Sequence, residues 1–74
     1  MSEKPTAKRI RHARETQAAL ARIEAERSPE NIAALHRLHA DHCRENGDFA
    51  GAAEAEARAE RVDAKASPPE EHQT

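Results

Sequence analysis

Apolar side chains recur at steps of three and four residues along much of the chain, and this spacing is typical of one face of an α-helix. In the first third of the chain the face consists of Ile10, Ala13, Gln17, Leu20 and Ile23. In the last third it consists of Ala52, Ala55, Ala59, Val62 and Ala66. The densest large apolar residues lie between them, at Ile32, Leu35 and Leu38. The pattern predicts three amphipathic helices.

Capping and turn residues mark the ends of these helices. Ser28-Pro29 is typical of a helix start, because serine caps the first turn and proline fits the first helical position. Asn46-Gly47 is typical of a helix end, since both residues tolerate the left-handed conformation, and Asp48 can cap the helix that follows. The predicted helices therefore cover residues 6–26, 29–45 and 49–65, within a single α-helical domain of residues 1–66.

The residues after the third helix read differently. Ser67-Pro68-Pro69 ends that helix, because proline can neither donate a backbone hydrogen bond nor continue the helical turn. We expect the last residues, 67–74, to form a disordered tail.

The short predicted connections make consecutive helices antiparallel neighbours, so the expected fold is all-α. It is either a three-helix bundle or a helical hairpin plus one extra helix. The alanine seam of the third helix lets a neighbouring helix approach closely, with Phe49 as the one bulky side chain that fills the contact. Alanine accounts for 17 of the 74 residues, so few large side chains are left for a core. Small domains with poor cores are weakly stable alone, and we expect a homodimer or a heteromeric complex.

Residues 33–64 resemble one tetratricopeptide repeat (TPR) hairpin. The turn Gly47-Asp48-Phe49 is similar to the turn between the two helices of that family, and Ala40, Ala52 and Ala59 fall on its small-residue positions. The chain departs from the family where His36, Cys43 and Glu56 replace bulky or aromatic residues. It holds about one and a half units, whereas repeat proteins need about three for independent stability. The resemblance implies a scaffold that binds other proteins.

Composition argues against several classes of function. The chain has no Trp or Tyr and a single Phe, so it lacks aromatic platforms for stacking bases or sugars. It also lacks a glycine-rich loop and a nucleophile with an orienting third group, and we expect no enzymatic activity. One cysteine fits a reducing compartment. Apolar runs such as residues 18–21 are too short for a signal-peptide core or a membrane span, so a cytoplasmic protein is expected.

Three residues in the segment HRLHADHC are candidate metal ligands: His36, His39 and Cys43. They fall within an arc of about 60° on one helix, and imidazole and thiolate are ligands that zinc prefers. A fourth ligand, such as His12, Asp48 or a residue of a second subunit, would be needed for a tetrahedral zinc site. The same positions continue the apolar stripe of Ile32 and Leu35, so they also suit a core or a pH-sensing interface. The core interpretation, without a cofactor, is preferred, and zinc binding is the alternative.

The N-terminal residues are basic, with Arg9, Arg11 and Arg14 in the first half of the first helix. Cations there oppose the helix dipole, so helix stability does not explain their placement. They suit an acidic protein surface or, less well, nucleic-acid phosphate. The leading prediction is a small helical adaptor or regulator, an inhibitor or accessory factor that binds another protein. A metal-responsive protein and a nucleic-acid accessory protein are the alternatives. The predicted binding residues are Ile32, Leu35, Leu38, His39, Arg9, Arg11 and Arg14.

Overall fold

A computed structural model describes residues 6–66 of the chain as three consecutive α-helices. They are α1 (Ala7–Ala25), α2 (Pro29–Glu45) and α3 (Phe49–Ala66), joined by three-residue connections. The predicted all-α fold class is confirmed. The predicted tail, residues 67–74, lies outside the described residues.

Side-chain caps fix the start of each helix. The hydroxyl of Thr6 accepts a hydrogen bond from the backbone N–H of Arg9 at 3.2 Å and begins α1. Ser28 does the same for Asn31 at 3.1 Å and begins α2, with Pro29 in the first turn as predicted. The side-chain amide of Asn31 also donates a hydrogen bond to the backbone carbonyl of Glu26 at 2.7 Å. That contact ties the end of α1 to the start of α2 and makes the two helices antiparallel.

The turn between α2 and α3 is a Schellman motif. The N–H of Asp48 donates to the carbonyl of Cys43 at 2.8 Å, and the N–H of Gly47 donates to the carbonyl of Arg44 at 3.0 Å. Gly47 has φ of 81°, which favours glycine. The carboxylate of Asp48 then accepts from the N–H of Gly51 at 3.0 Å and caps α3. These local contacts reverse the chain and place α3 antiparallel to α2.

The core lies between α2 and α3 and consists of small side chains. Its buried apolar residues are Ala33, Ala40 and Cys43 from α2 and Ala52, Ala55 and Ala59 from α3. Because alanine projects little beyond the backbone, the two helices pack closely along this seam. Two ion pairs flank it at the surface, one between Arg37 and Asp63 and one between Arg44 and Glu56. The predicted seam of α3 is buried at Ala52, Ala55 and Ala59, half-buried at Val62 and exposed at Ala66.

Helix α1 packs against α2 and, within residues 6–66, makes no contact with α3. The structure buries no residue of α1. The predicted apolar face of α1 is mostly exposed: Ile10 and Leu20 are 42% and 47% exposed, and Ala13 and Gln17 are also exposed. Only Ile23, at the far end of that face, is half-buried. This face therefore contributes no fully buried residue to the core of the described chain.

Phe49 is 68% exposed at the start of α3 and does not fill the contact between α2 and α3. The prediction that it acts as a plug is wrong. The closely packed alanine seam leaves no space for a phenyl ring between α2 and α3. The ring of Phe49 therefore lies at the surface, beside the turn.

Across residues 6–66, no helix combines the length and the apolar content that a bilayer crossing requires.

Candidate protein-binding surface

A pair of stacked histidines lies in the contact between α1 and α2, near the start of α1 and the end of α2. The rings of His12 and His42 lie with their centroids 3.7 Å apart and their planes within 10° of parallel. Their side chains are only 13% and 10% exposed. We call these two residues the histidine pair. In this part of the contact, α1 and α2 therefore pack through imidazole rings, whereas most helix pairs pack through aliphatic side chains.

Each histidine of the pair donates to a carboxylate on the opposite helix. The Nε2 of His12 lies 2.9 Å from a carboxylate oxygen of Glu45, and the Nε2 of His42 lies 2.7 Å from one of Glu15. A carboxylate can only accept, so each Nε2 carries the proton. The two bonds cross the interface in opposite directions and hold α1 to α2 reciprocally.

Two basic side chains of α1 complete the cluster. Arg11 pairs with Glu45 and lies 3.4 Å from a carboxylate oxygen of Glu15. Lys8 donates to the backbone carbonyl of Glu45 at 3.3 Å, close to the C-terminal end of α2. A cation at that end interacts favourably with the dipole of α2. The basic residues that oppose the dipole of α1 thus contribute to the packing of α1 on α2.

These contacts favour the ionised form of both carboxylates. The hydrogen bond from Arg11, and next that from His12, lowers the pKa of Glu45 to about 2. The hydrogen bond from His42 is the main cause that lowers the pKa of Glu15, and partial desolvation opposes it. The same pairing with Glu45 raises the pKa of Arg11. Both carboxylates are therefore charged near neutrality, and the cluster is an ionic network.

An open groove of about 480 Å³ runs between α1 and α2 next to the histidine pair. Small apolar, large apolar and charged side chains all line it: Glu15, Ala18, Ala19, Arg22, Ala34, Arg37, Leu38 and Asp41. Leu38 is the one large apolar side chain among these residues and is half-buried. We call this feature the α1–α2 groove.

The apolar residues predicted to bind a partner are divided between two places. Leu38 lies in the α1–α2 groove and stays partly accessible. Ile32 is half-buried beside Val62 in a separate cleft of about 320 Å³ at the open end of the α2–α3 hairpin. Leu35 is half-buried, and His39 is exposed. The structure therefore does not unite Ile32, Leu38 and His39 into one surface.

The basic residues of α1 also have different environments. Arg11 is engaged by Glu15 and Glu45 within the chain. Arg9 and Arg14 are exposed on α1. Arg11 is therefore part of the contact between α1 and α2, whereas Arg14 lies on the exposed surface of α1.

The candidate metal ligands do not converge. His36 is half-buried, His39 is exposed and Cys43 is buried in the alanine core. In residues 6–66, no group of three or more His, Cys, Asp or Glu side chains is placed to hold a metal ion. The suggestion that His39 continues the buried stripe is wrong, whereas Cys43 is part of the core.

The histidine pair and its carboxylates form a cluster that the sequence patterns above did not single out. A signal for it exists in the sequence. The tetrapeptide His-x-Arg-Glu occurs twice, as residues 12–15 in α1 and 42–45 in α2. Within each copy, the histidine and glutamate are three residues apart and share one helix face. Two such copies on antiparallel helices can satisfy one another, as they do here.

Comparison with family models, with curated proteins and with solved structures finds no match to this chain. The resemblance to a tetratricopeptide hairpin therefore stays a prediction.

Proposed function

We propose that this protein is a small helical adaptor or regulator that acts by binding another protein and not by catalysis. The observation that carries the proposal is the distribution of its large apolar side chains. In the described part of the chain none of them is fully buried, while the core is made of alanine and Cys43. A protein that leaves its largest apolar groups accessible gains most from a partner that covers them.

The α1–α2 groove supports the same proposal. It combines apolar side chains with charged residues of both signs, a composition that suits a protein-binding patch. Leu38 is the natural anchor because it is the one large apolar side chain that lines the groove. The predicted tetratricopeptide resemblance agrees with this function, since that family binds proteins.

The experiment is capture of partners from a lysate of the native host by immobilised protein, with identification by mass spectrometry. We expect Leu38→Asp to leave helicity unchanged and to reduce capture, by about 1–3 kcal/mol of binding free energy for an anchor residue. Ala57→Asp, an equal charge change at an exposed position of α3, is the matched control and should bind normally. If wild-type protein captures nothing above the level of an unrelated helical protein, the proposed function is wrong.

A further inference from the structure

The apolar stripe of α1 has no neighbour within residues 6–66. It consists of Ile10, Ala13, Gln17 and Leu20, all of them exposed, and we call it the outer stripe. Its residues alternate at three- and four-residue steps with large aliphatic side chains at both ends, a pattern that helices normally cover with another helix. Since α1 contacts α2 on its other side and does not reach α3, nothing in the described chain covers it.

Helices α1 and α2 share more than the His-x-Arg-Glu tetrapeptide. Residues 10–15 (IRHARE) and 40–45 (ADHCRE) both follow the order apolar, variable, histidine, apolar, arginine, glutamate. The crossed contacts of the histidine pair relate the two helices by an approximate two-fold axis, because each copy donates to the glutamate of the other. Equivalent positions therefore occupy equivalent environments unless a neighbour is missing.

Such a neighbour is present on α2 and missing on α1. The apolar positions of the α2 copy, Ala40 and Cys43, pack against Ala52 and Ala55 of α3. Its arginine, Arg44, pairs with Glu56 of α3.

The equivalent positions of α1 are Ile10, Ala13 and Arg14, which are all exposed. Two of them belong to the outer stripe, and Arg14 lies beside it on the helix surface. Helix α1 thus carries a surface equivalent to the one on α2 that packs against α3. No helix of the described chain packs on this surface of α1.

We propose that the outer stripe binds an amphipathic helix of another protein, antiparallel to α1, that places an acidic side chain opposite Arg14 as α3 places Glu56 opposite Arg44. Ile10 and Leu20 are larger than the alanines of α2, so this helix packs at a wider spacing than α3 does. The inference rests on the proposed function and specifies its partner class.

A second copy of this chain fits the stripe less well. The seam of α3 already packs on its own α2, so a neighbouring copy has no free equivalent of α3 to offer. Two outer stripes paired antiparallel through Ala13 and Gln17 bring the Arg14 side chains of both copies together. Like charges at that position oppose the pairing, whereas an acidic helix is attracted.

The test uses the full chain and two synthetic helical peptides of about six turns, each labelled for fluorescence anisotropy. Both peptides carry leucine and alanine at alternating three- and four-residue steps; one is flanked by glutamate and the other by lysine. We expect the glutamate peptide to bind the wild-type protein and the lysine peptide to bind at least about tenfold more weakly. Leu20→Asp should weaken binding of the glutamate peptide about tenfold or more, while Ala57→Asp should not change it.

Charge reversal at one residue gives the sharpest result. Arg14→Glu should reverse the preference, so that the lysine peptide binds more tightly than the glutamate peptide. Circular dichroism confirms that each variant stays helical, and loss of helicity in Leu20→Asp would show that the stripe is part of the core and overturn the inference.

Other results would overturn the inference without touching the proposed function. If the glutamate peptide binds but only Leu38→Asp weakens it, the partner uses the α1–α2 groove. The inference also fails if neither peptide binds, if Arg14→Glu leaves the preference unchanged, or if sedimentation shows self-association that Leu20→Asp abolishes. It fails as well if anionic vesicles or duplex DNA compete with the glutamate peptide for Arg14.

Discussion

At the scale of single residues, Glu45 accepts several of the polar contacts that α1 makes with α2. Its carboxylate accepts from Arg11 and His12, and the carbonyl of the same residue accepts from Lys8. Three side chains of α1 thus reach one residue of α2. The hydrogen bonds from Arg11 and His12 lower the pKa of this carboxylate to about 2, so the folded state favours its ionised form.

The low pKa predicts how stability responds to acid. A group whose pKa is lower in the folded than in the unfolded chain stabilises the fold above its unfolded value and loses that contribution as the pH falls toward its folded value. For Glu45 this window lies between pH 4.5 and about 2. We expect Glu45→Gln to reduce the loss of stability in this window, measured by urea unfolding at a series of pH values.

Glu54→Gln is the control for that measurement, because Glu54 is an exposed glutamate of α3 outside the cluster. It should keep the acid sensitivity of the wild-type protein. Equal acid sensitivity in wild type and Glu45→Gln would show that the contacts to Arg11 and His12 do not stabilise the fold.

At the scale of secondary-structure elements, the α2–α3 contact depends on the absence of side-chain bulk. Ala59 is fully buried in the seam, whereas Ala57, two residues earlier on the same helix, is exposed. Extra methylenes in a packed seam force the helices apart and cost about 1–3 kcal/mol or more. We expect Ala59→Leu to lower the free energy of unfolding by that amount and Ala57→Leu to change it little, since leucine and alanine are both good helix formers.

That comparison has a clear opposite outcome. If Ala59→Leu is as stable as Ala57→Leu in urea unfolding, the two helices are not held at alanine distance. The core between them would then be looser than the structure describes.

The helices themselves could be predicted from the sequence because their ends are set by local chemistry. Ser28, Pro29, Gly47 and Asp48 each act on the backbone within a few residues of their own position, and each does in the structure what its type favours. The alanine seam could be predicted for the same reason. A short periodic pattern with capping residues at its ends carries the information within itself.

The neighbours of α1 could not be predicted in this way. Periodicity shows that Ile10 and Leu20 share a face, but it does not show which helix, if any, meets that face. The histidine pair could not be predicted for the same reason, because the partner of His12 lies thirty residues away in sequence. In sequence His42 lies next to Cys43 and three residues from His39, whereas in the structure it contacts His12 and Glu15 of α1.

At the scale of the whole molecule, the two helix contacts differ in kind. The α2–α3 contact is made of alanine and Cys43, and the α1–α2 contact includes imidazoles, carboxylates and cations. No large apolar side chain is fully buried in either of them within residues 6–66. Domains of this size with such cores are marginally stable.

This difference predicts that unfolding is broad and begins at α1. We expect a low and gradual thermal transition by circular dichroism, and hydrogen exchange should be faster in the amides of α1 than in those of α2 and α3. His42→Ala should accelerate exchange in α1, whereas His39→Ala, at an exposed position, should not. A single sharp transition above about 80 °C, with uniform protection, would contradict this description.

Because ionic contacts hold α1 to α2, the salt concentration should affect two things: this contact and the proposed binding of a partner helix. Counterions screen partly exposed charges such as Arg11, Glu15 and Glu45 within about 10 Å at 0.1 M ionic strength, so they loosen α1 from α2. The same counterions should weaken the attraction between Arg14 and the acidic helix proposed to bind it. Both the attachment of α1 to α2 and the proposed binding of an acidic helix should therefore weaken as the ionic strength rises.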